Sequence, residues 1–334
     1  VMYAVDGPTF VGGDKTDSAV LTVEPGTVIF GRQGNDYLVV SRDSQIMAEG
    51  TADAPIIMTS SQDVLGEETA PGQWGGFIIL GNAPSNKCPA DGSDCALQVE
   101  GAEEGAVFGG SDETDNSGVL RYLVVKHGGF EIAPDNELNG ITFGGVGSGT
   151  TVEYLQVHGN SDDGIEMFGG NVDFKHVVLT GMQDDSIDWD NGYRGRMQFV
   201  YVEHDKNGGD ANRGIEADND GSNPAAEPMS NPILANLTIV GNNFQGEDSS
   251  EGIYLREGTG AQFYNVVVTG PSEMGECFEV EGNPVSQGHL ADNTIRMENS
   301  VFACSNGENF KYGDTDVNLE DWFLNDQANN FISE

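Results

Sequence analysis

A short phrase recurs along this chain at a spacing that only a stacked fold explains. Asp-Asp-Gly-Ile-Glu around Ile165, Asp-Asp-Ser-Ile-Asp around Ile187 and Asn-Arg-Gly-Ile-Glu around Ile215 are successive copies, 22 and then 28 residues apart. An alternating apolar run follows each of the first two, with Val177 and Leu179 in one and Val200 and Val202 in the other. A repeat of roughly 20–50 residues with one or two short strands per copy marks a solenoid, because a single copy cannot bury its apolar face without neighbours above and below.

From Val119 onward two strand series alternate. Leu123, Leu155, Val177, Val200, Leu237 and Val266, with Ser300 or Val301 last, mark the inward positions of one; Ile141, Ile165, Ile187, Ile215, Ile253, Phe278 and Phe310 mark the other. Strict alternation implies stacked coils and parallel sheets. The uneven steps of 24, 22, 28, 38, 25 and 32 between the second set of markers are loop insertions on one side. The chain reads as one all-β domain: first coils over 1–60, irregular loop-rich coils over 61–118, regular coils over 119–313, and a terminal cap or exit segment over 314–334. Within the irregular part, Phe77-Ile78-Ile79-Leu80 reads as a strand buried on both sides. No helix of any length is expected, and 47 glycines with short Val, Ile, Phe and Tyr runs suit many strands joined by tight turns.

Charge excludes two classes of partner. With 55 Asp and Glu against 14 Lys and Arg, the net charge is -41, so nucleic acid and anionic membrane surfaces lack the clustered cations they need. No apolar run of about 18 residues exists for membrane insertion. Four cysteines fall into two pairs: Cys88 and Cys95 bracket a short loop, and Cys277 and Cys304 lie 27 residues apart, about one coil. Such pairs suit disulfides and an oxidising, extracytoplasmic setting; a metal site is the competing reading, but no zinc spacing is present.

The motifs LTVEPGTVIFG, SQIMAEGTADAPIIMTS, GQWGGFIILGNAP, PDNELNGITFGGVGSGTTVEY and DDGIEMFGGNVDFKHVVLTG occur in that order over nearly the whole chain. In them the chain resembles a large group of exported bacterial right-handed parallel β-helix proteins. The resemblance implies a three-sheet right-handed β-helix, similar in architecture to pectate lyases, and export to the cell surface or the extracellular space. It implies little about chemistry, since a fold does not fix a function.

Aligning the coils on the isoleucine markers stacks carboxylates into columns. Two positions before the marker stand Asn139, Asp163, Asp185, Arg213, Glu251, Glu276 and Glu308, and one position after it Thr142, Glu166, Asp188, Glu216, Tyr254, Glu279 and Lys311. Parallel strands lie about 4.8 Å apart, so carboxylates in register repel unless a cation lies between them. Arg213 could serve Asp185 in that way. Asp162, Asp163, Glu166, Asp184, Asp185 and Asp188 are therefore the candidate metal ligands, and an all-oxygen set favours calcium. Asp218, Asp220 and Gly221 faintly resemble a calcium loop but lack its downstream Glu.

Catalytic signals are weaker. Glu166 and Asp188 could pair as acids for glycoside hydrolysis. Arg194, Arg196, Arg213 and Arg256 lie in or beside the ladder, and a lyase would use calcium with one of them, Arg213 being the candidate. Trp189, Tyr193 and Arg194 are candidate carbohydrate contacts. The preferred expectation is an exported structural or adhesive β-helix, a cell-surface scaffold or filament subunit that self-associates head to tail, stabilised by calcium and disulfides. The alternative is a polysaccharide lyase or glycoside hydrolase acting on an extracellular glycan.

Overall fold

A computed structural model describes the chain except residues 90, 92, 134–135, 206–212, 243–249, 272–273, 305–308, 313–316 and 334. The strands form a right-handed parallel β-helix. Its register matches the one read from the sequence: Ile141, Ile165, Ile187, Ile215, Ile253, Phe278 and Phe310 stand opposite one another in a ten-stranded parallel sheet. Leu123, Leu155, Val177, Val200, Leu237 and Val266 do the same in a fourteen-stranded sheet. Ser300 closes that series, its Oγ accepting from Val266 N at 3.1 Å. These columns point inward and are buried because every second strand residue faces one side of a sheet. One continuous apolar core runs from Val5 to Phe323.

Two long sheets are seen where three are implied, and the reason is local. Each long strand of the larger sheet contains one residue at positive φ: Tyr122, Tyr154, His176, Phe199, Asn236 and Asn265 in successive strands. That residue turns the strand so that one continuous ladder serves two sides of the solenoid. At the ends the sides separate. Gly118–Lys126 pairs through Gly118–Arg121 with Gln45–Glu49 and through Leu123–Val125 with Ile56–Ser60. Ala261–Thr269 likewise splits between Ile295–Glu298 and Val301–Ala303. A third sheet thus exists as separate strands at the ends and is fused into the second in the middle.

Asparagine tolerates positive φ, whereas for Tyr, His and Phe it costs about 1–3 kcal/mol. The four aromatic rings stack in return, with centroids 4.4, 4.5 and 5.0 Å apart and planes within 4–11° of parallel. Each such pair contributes about 0.5–1.5 kcal/mol. Lower in the same column the side chains change to an amide ladder, Asn265 Nδ2 donating to Asn236 Oδ1 at 2.5 Å and Asn329 Nδ2 to Asn299 Oδ1 at 3.0 Å.

The irregular coils over 61–118 have a structural purpose. Gly76–Leu80 is buried at every position: Phe77 and Ile79 enter the main core, while Ile78 and Leu80 face outward under Val99, Ala106 and Phe108. Leu97–Gln98 and Val107–Phe108 form a small antiparallel pair over that face. Both disulfides are present, Cys88–Cys95 and Cys277–Cys304, with Cα atoms 5.4 and 5.5 Å apart.

Helices correct one expectation. Pro284–Asp292 is helical, with Asn283 accepting from Val285 N and Ser286 N at its start, Pro284 in the first turn and Asn293 in left-handed conformation at its end. Ser61–Leu65 is a shorter helix capped by Ser60. No helix of the described residues is long and apolar enough to cross a membrane. The boundary expected at 313/314 lies outside the described residues. Beyond it, Leu319–Asp321 and the π-turn Trp322–Asp326 place Trp322 on Phe278 (5.8 Å) and Phe323 on Phe302 (4.3 Å). Phe331–Ile332 then adds a strand beside Val301–Ala303, so this segment caps the core.

Candidate functional site

The acidic ladder lies on the outer side of the ten-stranded sheet, because the residue after each inward isoleucine must point outward. Glu166, Asp188 and Glu216 stand opposite one another on neighbouring strands. The Asp-Asp turns before each isoleucine add Asp162, Asp163, Asp184 and Asp185 to the same place, and Asp163 Oδ1 accepts from Asp185 N at 3.0 Å. Together with Glu100, Glu137, Asn139, Arg213 and Arg256 they line a polar cleft of about 390 Å³. All six candidate ligands therefore converge. Glu216, Glu137 and Glu100 join them; the first was readable from its column, whereas Glu137, in a short antiparallel insertion, and Glu100, in a turn, lie outside the coil period.

Within the cleft three carboxylate triads place one oxygen from each member within 4.8 Å: Asp162, Asp163 and Asp184; Asp163, Glu166 and Asp188; Asp185, Asp188 and Glu216. Asp163 belongs to the first two and Asp188 to the last two. Asp163, Asp185 and Glu216 are buried and the others half-buried. Burial, then the neighbouring carboxylates, push the carboxyls of Asp162, Asp163, Glu166 and Asp188 well above the usual range. Asp185 is raised too, by burial and Glu216, with Arg213 opposing. Such an array either holds protons at neutral pH or holds a cation.

Three observations bear on which. Asp185 Oδ1, Asp188 Oδ1 and Asn139 Oδ1 are buried acceptors with no hydrogen-bond donor among the described residues. No Lys or Arg among the described residues forms an ion pair with Asp163, Glu166 or Asp188. The third triad differs, since Arg213 Nη1 lies 3.8 Å from Asp185 Oδ2 and also pairs with Glu216, while its Nε reaches Glu251 Oε2 at 3.3 Å. The all-oxygen donor set and the acceptors lacking donors fit a hard divalent cation at Asp163, Glu166 and Asp188. Asn139 Nδ2 donates to Glu166 and to Thr142 Oγ1 (3.2 Å), which fixes that carboxylate from above.

Two groups of expected contacts are corrected. Trp189 and Tyr193 are both fully buried, Trp189 donating to Thr259 Oγ1 (3.0 Å) and Tyr193 to the Val172 carbonyl (2.8 Å). Trp189 lies one position past Asp188, so strand alternation turns it into the core, away from any glycan. Arg194 pairs outside the cleft with Glu113 at 3.0 Å. The loop at 217–224 is also no cation site: Asp218 receives two hydrogen bonds from Arg256, and Asp220 accepts from Ser222 N, Ser222 Oγ and Asn223 N while Lys87 Nζ lies 2.6 Å away. Lys87 and Ser222 outweigh burial there and hold the Asp220 carboxyl down at about 2.

Comparison with curated proteins gives no sequence match. Among solved structures the chain is similar to the A-module of a mannuronan C-5 epimerase from Azotobacter vinelandii (TM-score 0.38, 11% identity, covering 99% of this chain and 86% of that one). It is also similar to the catalytic unit of an α-1,3-glucanase from Streptomyces thermodiastaticus (0.32, 10%, covering 92% and 64%). A third is an alginate lyase from Paenibacillus (0.23, 8%, covering 95% and 99%). Residues 1–332 match the family described as the pectate-lyase-like β-helix domain, and the chain belongs to that family.

Proposed function

We propose that this chain is an exported, disulfide-bonded β-helix that holds calcium in its acidic cleft and serves as a structural scaffold at the bacterial cell surface or beyond it. The observation that carries this reading is the triad Asp163, Glu166 and Asp188, three carboxylates with one oxygen each within 4.8 Å of one another and with no ion-pair partner among the described residues. Asp162 and Asp184 adjoin it through Asp163 and complete the oxygen set. Calcium supplies the positive charge that these rungs need to ionise, and Asp163, shared between two triads, is its central ligand. Glu166 and Asp188 then act as ligands of that ion, closing the triad with Asp163. The two disulfides and the extreme acidity support the extracytoplasmic setting.

Calcium titration by calorimetry tests the reading. One or more ions should bind to the wild type, and Asp163→Asn should abolish binding at the central triad. Absence of binding at neutral pH would leave a protonated ladder instead. A second reading, a cation-dependent lyase acting on an acidic glycan, is favoured by Arg213 and Arg256 lining the same cleft as the triads. Both guanidiniums are already engaged, by Glu216, Glu251 and Asp218, which leaves the scaffold ahead. Release of unsaturated sugars from a uronate polymer, lost in Arg213→Ala, would reverse that order.

A further inference from the structure

The charge of the molecule is distributed very unevenly. The six long strands of the larger sheet, from Gly118–Lys126 to Ala261–Thr269, point their alternate residues outward across the face opposite the core. Those outward positions carry four cations, Arg121, Lys126, Lys175 and Arg196. They carry only three acids, Glu153, Asp173 and Glu203. The flanking rungs add Arg296, Glu49 and Glu298, and Asp63 pairs with Lys126 at the upper edge, so that five cations meet six acids and the face is nearly neutral. Two neighbouring columns hold no charge at all: the column of positive-φ residues, and the one running Val124, Gln156, Val178, Tyr201, Thr238 and Val267. The net charge of -41 therefore lies on the other sides.

Apolar groups meet solvent on this nearly neutral face as well as at the solenoid ends, where Val1, Met2, Tyr3 and Phe331 are more exposed still. Tyr154, Phe199, Tyr201 and Ile233 are 37–42% exposed, and all four lie on it. The stacked rings of Tyr122, Tyr154, His176 and Phe199 form one wall of an apolar groove of about 590 Å³ whose floor includes Val124, Gln156 and Val178. Three of these rings are held at positive φ although asparagine, which suits that backbone, occupies the same column lower down, and Phe199 is held so as well. Stacking offsets part of that cost, about 0.5–1.5 kcal/mol per pair against about 1–3 kcal/mol per residue, and leaves the rings only partly covered.

We propose that a second copy of this chain docks side by side on this face. Two molecules of charge -41 repel wherever carboxylates meet, and this is the broad lateral face on which a copy meets no excess of them. A wall beside a groove is self-complementary about a two-fold axis, as an isologous contact requires. Because the strands turn at the positive-φ column, eight rungs at about 4.8 Å and strands of about 27 Å give about 900 Å² only when the copy covers both sides of that turn, against about 800 Å² per partner in a standard interface. The proposal deepens the scaffold reading and places its self-association on the side of the solenoid in place of its ends. Calcium plays no part in it, so its failure leaves the cation site untouched.

Sedimentation equilibrium of the full calcium-loaded chain at ionic strengths of about 0.01 M and 1 M, where the Debye length falls from about 30 to 3 Å, tests it. A dimer is expected whose dissociation constant falls at least about tenfold at high salt, because screening removes repulsion between the acidic sides while the neutral contact persists. The double variant Phe199→Asp, Tyr201→Asp should be monomeric at both salts. Gln156→Glu with Gln198→Glu, which adds charge without touching the rings, should weaken the dimer at low salt, with circular dichroism unchanged. A monomer at both salts, a dimer loosened by salt, or a dimer indifferent to both variants would overturn the proposal; the last would place the contact at a solenoid end.

Discussion

The upper and lower halves of the acidic ladder face the same problem and solve it differently. In both, the register of the ten-stranded sheet stacks acidic side chains from neighbouring rungs, Glu166 on Asp188 and Asp188 on Glu216. Below Ile215 the protein supplies its own cations. Arg213 sits among Asp185, Glu216 and Glu251, Arg256 pairs with Glu216 and Asp218, and Lys311 Nζ lies 3.1 Å from Glu251 and 3.0 Å from Glu279. Tyr254 even replaces the acid on one rung and stacks beneath Arg213, 5.0 Å from its ring centroid. On the rungs of Ile165 and Ile187, Asp163, Glu166 and Asp188 have no such partner among the described residues. A ladder with built-in guanidinium is stable in any solution, whereas one without it depends on what the solution provides.

The largest effect should come from making the lower half resemble the upper. Arg213→Ala leaves Asp185, Glu216 and Glu251 buried without their counter-charge, and removing one partner of a buried ion pair costs about 3–5 kcal/mol. If the two halves are equivalent solutions, the third triad of Asp185, Asp188 and Glu216 should then bind a cation itself. Calcium should restore part of the lost stability, and its stoichiometry should rise by one. Loss of stability with no gain in binding would mean that the lower rungs are shaped for guanidinium alone.

Next in size is the effect of withholding the proposed ion from the upper half. A ligand that binds only the folded state stabilises it by about 2.7 kcal/mol at a hundredfold excess over its dissociation constant. A chelator should therefore lower the melting temperature of the wild type in low salt, and Asp163→Asn should remove the response. Magnesium should replace calcium poorly, since three closely set carboxylates in a half-buried cleft do not leave it the waters it keeps.

Both halves were legible in the sequence because β-strand register is periodic: a two-residue alternation and a recurring isoleucine place Glu166 opposite Asp188 without any coordinates. The same alternation, applied one residue further, turns Trp189 inward, and the expectation that it faced sugar neglected this. Glu100 lies in a turn and Glu137 in a two-residue strand of an inserted antiparallel pair, where no coil period fixes the path. The helix at Pro284–Asp292 carried its signals in Asn283 and Pro284, but its apolar residues show no helical stripe facing the core, only Ser286 and Leu290 being buried. The fusion of two sheets was hidden for another reason. Tyr, His and Phe are the last residues one would place at positive φ, and only the asparagines lower in the column hint at it.

A pH series separates the halves more gently. The carboxyls of Asp162, Asp163, Glu166 and Asp188 are raised in the folded protein by burial and by one another. A raised acid holds its proton more tightly folded than unfolded, so its contribution is fully present below the unfolded value near 4 and is lost as pH rises towards the folded value. That window extends to about 8 for Asp162. With chelator, thermal stability should fall steadily from pH 5 to pH 8, by about 1.4 kcal/mol for each unit of upward shift in play. With saturating calcium the slope should flatten or reverse, because the ion now competes with the protons. A flat profile in chelator would mean that the upper rungs are solvated ions.

The smallest effect is expected at the one place outside the ladder where sequence suggested a cation. Asp220 lies in Asp-Asn-Asp-Gly, yet its oxygens are taken by Ser222, Asn223 and Lys87, and the low carboxyl value of about 2 marks a group that is ionised and already compensated. Lys87 is about a third exposed, so the pair is screened and worth about 0.2–1 kcal/mol. Asp220→Asn keeps one acceptor for the turn and removes the charge. It should lower stability by no more than that amount and leave both the calcium stoichiometry and the chelator response of the wild type unchanged. A lost or halved calcium response in Asp220→Asn would show that the two regions share their ion. The contrast between a self-neutralised lower ladder and an ion-dependent upper one would then have to be redrawn around the loop that joins Asp218 and Arg256 to Lys87.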